Sequence, residues 1–441
     1  MKIKNVLSNC YSVFDISFLF LREAIKYYTY KDYDRCVDTI VKSLAKKNIL
    51  YVKIFQACAL NNDLISNDTL LNFTDNAPYT TEEVDMDTLS QVETEHHITI
   101  LNNCIPINTG MISLVFKGIK NETQEEVIIK IKRKNIEERL NDGIEKLLFL
   151  IKLIDLLPFD NFDIPKVIHK NIGLIRDQTD FSKEIENIHN FREICKELNF
   201  IKIPTVYPTQ MANVILMEYI NGDTIKNIKE DHVKKIYIKQ IFKFVFTTIF
   251  INGISHGDLH SGNVLFIKEP VVDAQGVETY NYKLGILDFG IIYNIGKTSR
   301  MFCDIVSDLY DEDTRDVAVK LLKSGIIEPF DLIMELKGED YENTVNIIEE
   351  FLVKTIYIDE KVNMFNIYNV TAKLNVYLKN NTKLKFRLYL SDDSVKFQVI
   401  FGMLHGVLQQ LCKKKYIELA SSVLTETFYT NLICDNHDDD M

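Results

Sequence analysis

The run His256-Gly257-Asp258-Leu259-His260-Ser261-Gly262-Asn263, followed later by Leu287-Asp288-Phe289-Gly290, constrains the fold of this chain more than any other feature. Asp258 and Asn263 stand five positions apart, and Asp288 opens a turn after an apolar run. Two carboxylates and one amide are therefore offered in a fixed order. Oxygen donors of this kind suit a hard divalent cation such as Mg²⁺, which takes carboxylate, amide and phosphate oxygens. Val264-Leu265-Phe266-Ile267 and Tyr282-Lys283-Leu284-Gly285-Ile286-Leu287 lie between the two motifs and leave room for a hairpin. Asp-Phe-Gly alone is a common turn after a strand. His256, Asp258 and His260 would read as a metal cluster if a third soft ligand followed at zinc spacing, and none does. The signal is the combination, in the right order and with the hairpin between.

That combination is the hardware of phosphoryl transfer. In a kinase-type catalytic loop an aspartate orients or deprotonates the acceptor, an asparagine five positions on binds metal, and the Asp-Phe-Gly aspartate supplies a second metal-binding oxygen. Asp258 is thus the candidate catalytic aspartate, and Asn263 and Asp288 are the candidate Mg²⁺ ligands. Such a site also needs a lysine on a sheet and a helix glutamate to hold it. Val127-Ile128-Ile129-Lys130 has the form of the Val-Ala-Ile-Lys strand. Alternation puts Lys130 and Lys132 on one strand face, so periodicity does not choose between them; the apolar context favours Lys130. A lysine so placed needs an anionic partner. Glu184, three residues after Phe181 and four before Ile188, borders a buried helix face, whereas Glu186 lies off that stripe.

The loop that would cover a nucleotide is Pro106 to Phe116. It is not Gly-x-Gly-x-x-Gly, and Gly110 is its one position without a Cβ. Thr109, Gly110 and Met111 are candidate nucleotide contacts. So is Glu218, near the end of the strand-like Asn213–Tyr219 run and ahead of the break at Asn221-Gly222.

With 441 residues the chain has room for a kinase-sized core and an extension. Residues 1–96 read as a helical N-terminal extension, in which Ile16, Phe20 and Ala24 form an apolar face with Leu19 and Leu21 nearby. Residues 97–220 read as a small lobe of strands and helices. Residues 221–441 read as a large helical lobe, helical from Thr224 to the catalytic loop and again from Gly290 to an acidic tail. The expected fold is α+β, a two-lobed protein-kinase-like fold with a helical N-terminal extension. A net charge of −12 without a basic block argues against nucleic acid as a partner. The 8 cysteines form no Cys-x-x-Cys pair, which fits reduced thiols. No signal peptide is seen, and the apolar stretch Ile241–Ile251 is interrupted by Lys243. The cytoplasm is therefore the default compartment, with peripheral contact to a lipid or membrane surface compatible and oligomeric state left open.

Taken together, these residues resemble the UbiB/ADCK family of atypical kinases. Tyr51-Val52-Lys53-Ile54-Phe55-Gln56 falls where that family has Lys-x-Gly-Gln, and Asn72 to Pro78 is similar to its Leu-x-Asp-x-x-Pro stretch. Pro106 to Phe116 is in register with the family's alanine-rich nucleotide loop, and Val127 to Arg133 with its lysine strand. Asp180 to Asn187 resembles its Asp-Phe-x-x-Glu-Ala-x-Asn helix, and His256 to Asn263 its His-Ala-Asp-Pro-His-Pro-Gly-Asn loop. The resemblance implies ATP or ADP with Mg²⁺, a link to isoprenoid-quinone lipid biology, and an extension in which Lys53 and Gln56 face the nucleotide. Three departures stand out. Phe55 replaces the motif glycine, Asn108-Thr109-Gly110-Met111 replaces the alanine loop, and Leu114 and Phe116 replace its Gln and His. The functional expectation is a Mg²⁺-dependent atypical kinase or ATPase acting on a small molecule, a lipid-related acceptor or water. The alternatives are a nucleotide-binding regulator with little turnover, and a small-molecule kinase of the choline or aminoglycoside type.

Overall fold

The chain is described by a computed structural model over residues 2–48, 79–154, 176–272, 278–296, 313–354 and 386–412, with a few isolated positions beside these. It divides into two compact units, one of residues 1–186 and 205–219, the other of residues 187–204 and 220–441.

The first unit begins with helices α1 (Lys2–Tyr30) and α2 (Tyr33–Lys47). Helix α3 (Met86–His96) leads into β1 (Ile98–Ile100), β2 (Asn108–Thr109), β3 (Ser113–Lys120) and β4 (Glu126–Lys132), followed by α4 (Ile136–Ile154). Helix α5 (Phe181–Ile194) passes from the first unit into the second, where β5 (Ile201–Lys202) lies, and β6 (Val206–Tyr207) and β7 (Val214–Glu218) return to the first. The sheet runs β1-β3-β4-β7-β6, with β2 added to β3 and every pairing antiparallel.

Strand alternation sets what this sheet buries. Leu114, Phe116, Val127, Ile129, Ile131, Val214 and Leu216 pack with Leu89 and Val92 of α3 in one core. A second core joins Ile16 and Leu19 of α1 to Leu44, Leu140, Ile144 and Leu147. The inward face of α1 therefore runs through positions 16, 19 and 23, while Phe20 and Ala24 are exposed, contrary to the Ile16-Phe20-Ala24 face expected above. The 3-4 stepping of that seam turns positions 20 and 24 away from it.

In the second unit, α6 (Asp231–Phe246) continues into a π turn over Thr247–Ile251 and then β8 (Ile254–His256). Strands β9 (Val264–Val272) and β10 (Glu278–Ile286) form the long hairpin, with β5 parallel to β10. Strand β11 (Ile292–Asn294) pairs with β8. Helices α7 (Thr314–Lys323), α8 (Phe330–Glu335), α9 (Glu339–Leu352) and α10 (Asp392–Leu411) follow, with β12 (Ile327–Glu328) pairing to β13 (Tyr389–Leu390). The wholly helical reading on either side of the catalytic loop is thus corrected by β8, β11, β12 and β13. These two- and three-residue strands are defined by their partners and carry no period of their own. Among the described residues no helix is long and apolar enough to cross a membrane.

Candidate functional site

In the first unit, register places Lys130 opposite Val115 and Ile215, in the middle of the sheet. Its neighbours Ile129 and Ile131 point into the core, so Lys130 emerges on the other face, yet it is only 5% exposed. Its ammonium donates to Glu184 Oε1 at 2.6 Å and lies 5.9 Å from the centre of the Phe181 ring. Lys132, on the same strand face, pairs instead with Glu137 at 3.1 Å. Tertiary structure thereby separates two lysines that alternation leaves equivalent. Glu186 is exposed.

The Thr109–Met111 loop is tied to the protein itself. Thr109 Oγ1 donates to Ala77 O at 2.8 Å, and Thr109 O accepts from Ala77 N at 2.9 Å. Gly110 N donates to Ser113 O at 2.9 Å, and Gly110 O accepts from Arg133 Nε and Nη2 at 3.0 and 2.6 Å. Met111 is buried in the core that contains Leu44 and Ala77. Thr109 Oγ1 and O and the Gly110 backbone are thus bonded within the protein, and the Met111 side chain packs in the core. The Glu218 carboxylate accepts from Thr205 N and Oγ1 at 3.1 and 3.0 Å. Lys53 and Gln56 lie outside the described residues.

Arg133, at the end of the Val127–Arg133 run, is not among the site residues expected from the sequence. It is buried, bonds Gly110 O and Ala77 O, and pairs with Glu83, which also pairs with Arg139 at 2.6 Å. Burial pushes its pKa down, and the Glu83 carboxylate opposes that. A signal was present in the sequence: an arginine directly after a buried strand needs a carboxylate, and Glu83 belongs to another segment.

In the second unit the hairpin brings the metal-ligand candidates together. The β9–β10 ladder ends at Val264 opposite Ile286, and one step on Leu287 N donates to Asn263 O at 2.9 Å. Asn263 and Asp288 thus flank the open end of one hairpin. Asn263 Nδ2 donates to Asp258 O at 2.9 Å. A carbonyl only accepts, so the amide nitrogen must face it, and Oδ1 is the amide's remaining ligand atom. Asp288 holds φ at +52°, a left-handed conformation that aspartate tolerates better than most residues, and its Oδ1 accepts from Gly290 N at 3.2 Å.

His256 braces this arrangement. Its Nδ1 accepts from Asp258 N at 3.2 Å, so the neutral ring carries its proton on Nε2, which donates to Leu287 O at 3.1 Å. Burial pushes its pKa down, and Asp258 and the bond to Leu287 oppose that. His260 Nδ1 accepts from Gly262 N at 3.1 Å, and its Nε2 lies 3.8 Å from Asp258 Oδ2. Phe289 is fully buried against the rings of Phe191 and His256, with centroids 5.3 and 5.2 Å away, and Asn187 Nδ2 donates to its carbonyl at 2.9 Å.

Among the described residues, no group of three or more His, Cys, Asp and Glu side chains is arranged to hold a metal ion. One amide oxygen and one carboxylate fit Mg²⁺, which binds through one or two protein oxygens plus phosphate and water. They do not fit zinc, which wants a nitrogen or sulfur set.

A sheet lysine paired with a helix glutamate and an Asp/Asn/Asp set around a hairpin define the protein-kinase-like class. Comparison with known sequences agrees, since residues 81–321 match the model of the ABC1 atypical kinase-like domain. The chain belongs to the ABC1 family, the UbiB/ADCK family suggested by its motifs. It is 23% identical over 409 residues to "Probable serine/threonine-protein kinase abkB" of Dictyostelium discoideum, covering 87% of this chain and 57% of that protein. It is 21% identical over 283 residues to "Probable protein kinase UbiB" of Tolumonas auensis, covering 62% of this chain and 50% of that one. The chain thus spans about half the length of these curated relatives. Among solved structures, the complex of Rv3197 with erythromycin from Mycobacterium tuberculosis aligns with a TM-score of 0.47 and 16% identity, over 81% of this chain and 86% of that one.

Proposed function

We propose that this kinase-like protein binds ATP or ADP with Mg²⁺ and transfers a phosphoryl group to a small molecule, a lipid-related acceptor or water. The observation that carries this reading is the placement of Asn263 and Asp288 at the open end of one hairpin, with the Asn263 amide bonded to the backbone of Asp258. In this reading Asn263 Oδ1 and Asp288 hold the cation, which supplies charge neutralisation on the phosphates when bound. Asp258 orients the acceptor and receives its proton. Lys130, held by Glu184, contacts the phosphates. Phosphoryl transfer asks the protein mainly for positioning and fixed charge, and a pre-bonded loop provides both.

The test measures Mg²⁺-dependent binding of ADP and ATP together with phosphate release, with and without anionic liposomes. Asp258→Asn should lose most turnover while keeping ADP affinity, and Asp288→Asn should weaken metal-dependent binding. Both variants turning over like the parent would refute the assignment.

A second reading, a nucleotide-binding regulator with little turnover, is favoured by one observation. Thr109 Oγ1 and O and Gly110 N and O are bonded to Ala77, Ser113 and Arg133, so these groups of the covering loop are engaged within the protein. Nucleotide-dependent thermal stabilisation without phosphate release, in lipid or out of it, would select this reading.

A further inference from the structure

Helix α1 is apolar on two opposite faces. One face packs inward through Ile16 and Leu19. The other carries Tyr11, Phe14, Phe18, Leu21, Ile25 and Tyr28, each between 55% and 78% exposed. The steps along this outer stripe are 3, 4, 3, 4 and 3 residues, the a/d repeat of a coiled-coil seam. Phe14 and Phe18 already stack, with centroids 6.5 Å apart and planes at 15°. An open apolar surface of this extent marks a contact site.

The geometry points to a second copy of this chain as the occupant, paired antiparallel through α1 about a two-fold axis. The inference stands apart from the proposed chemistry. The first support is area. At roughly 150–250 Å² per large side chain, the stripe leaves about 800 Å² open, which is the share each partner buries in a dimer of standard size. The second is register. An antiparallel alignment centred between Phe18 and Leu21 sets Tyr11 against Tyr28 of the second copy, Phe14 against Ile25 and Phe18 against Leu21, so every layer pairs an a with a d. The third is charge. Asp15 and Arg22 lie along the same edge of the stripe, and this alignment brings Asp15 of one copy to Arg22 of the other, twice by symmetry. Asp15 pairs with Lys47 and Arg22 with Glu23 within the chain, yet their side chains stay 38% and 45% exposed, within reach of a second partner. A parallel pairing would place Ser17 and Ala24 opposite Arg22 and Thr29, with no opposite charges. A helix lying in a lipid surface carries basic residues along its polar face. Here the edges hold Asp15, Ser17, Ala24 and Thr29 beside Arg22, in a chain of net charge −12.

Sedimentation velocity of the full chain without lipid, at low to tens of micromolar, tests this. The parent should sediment as a dimer of the 51.3 kDa chain, and Phe18→Glu as a monomer. Asp15→Arg should weaken the dimer about tenfold through like charges across the seam, and adding Arg22→Asp should restore it. The swap pair decides the matter if Phe18→Glu loses its helical signal. A parent that stays monomeric, or a dimer indifferent to both Phe18→Glu and the charge swap, overturns the proposal. So does a monomer that co-sediments with anionic vesicles through Phe18, which would assign the stripe to lipid.

Discussion

Lys130 Nζ lies 2.6 Å from Glu184 Oε1 across 54 positions of sequence, with the two side chains 7% and 4% exposed. Two charges so far from water are tolerated because each faces the other. Removing one takes away this buried pairing, which costs about 3–5 kcal/mol. Lys130→Met should therefore lower urea stability by that order, and Lys130→Met with Glu184→Leu should recover most of it, since an apolar pair is often neutral here. A double variant no more stable than the single one would show that the pair is not the source.

Arg133 is held by Glu83, Gly110 O and Ala77 O. Arg133→Met takes both donors from Gly110 O, at a cost of about 1–3 kcal/mol for the buried carbonyl, while Glu83 keeps Arg139 and Ala77 O keeps Thr109 Oγ1. The expected outcome is a loss of stability together with faster amide exchange at Gly110. Exchange unchanged there would mean that Arg133 does not hold the loop.

Gly257 occupies the position where the family motif has alanine. An added Cβ would come within 2.5 Å of Ile291 Cγ2 and 3.0 Å of the Tyr293 ring. Ile291 is β-branched and stiff at χ1, so it gives way poorly. Gly257→Ala should destabilise by about 1–3 kcal/mol, and Ile291→Ala in the same chain should relieve part of that. Thermal melts of the three variants check it.

His256 gives stability a pH dependence of known sign. Burial sets its folded pKa below its ordinary value of 6.5. Between those two values the unfolded chain binds the extra proton, so stability falls as pH drops from about 6.5 to the folded pKa and is flat beyond it. His256→Gln should flatten that part of the curve relative to the parent. Equal slopes for parent and variant between pH 7.5 and 5.5 would show that another group dominates.

The candidate site is written in the sequence as local pattern. The five-residue spacing of Asp258 and Asn263, the Val-Ile-Ile-Lys strand and the stripe bordering Glu184 are local patterns, and local patterns survive in sequence. What could not be read was which polar groups each residue would meet. Lys130 and Lys132 share a strand face, and only the positions of Glu184 and Glu137 tell them apart. The loop at Gly110 carries no sign in the sequence that its carbonyl accepts from Arg133. Phe20 and Ala24 looked like core, yet the seam of α1 runs through Ile16 and Leu19 and turns them out.

By itself the sequence determined the chemistry on offer: two aspartates, an asparagine and a lysine in kinase order, on a strand of period two and on the loops beside strands. Tertiary structure decided the pairings, because hydrogen bonds and ion pairs form between segments that the chain brings together only on folding. Charge burial made those choices costly to get wrong, and the structure sets the buried Lys130 against Glu184 and the buried Arg133 against Glu83.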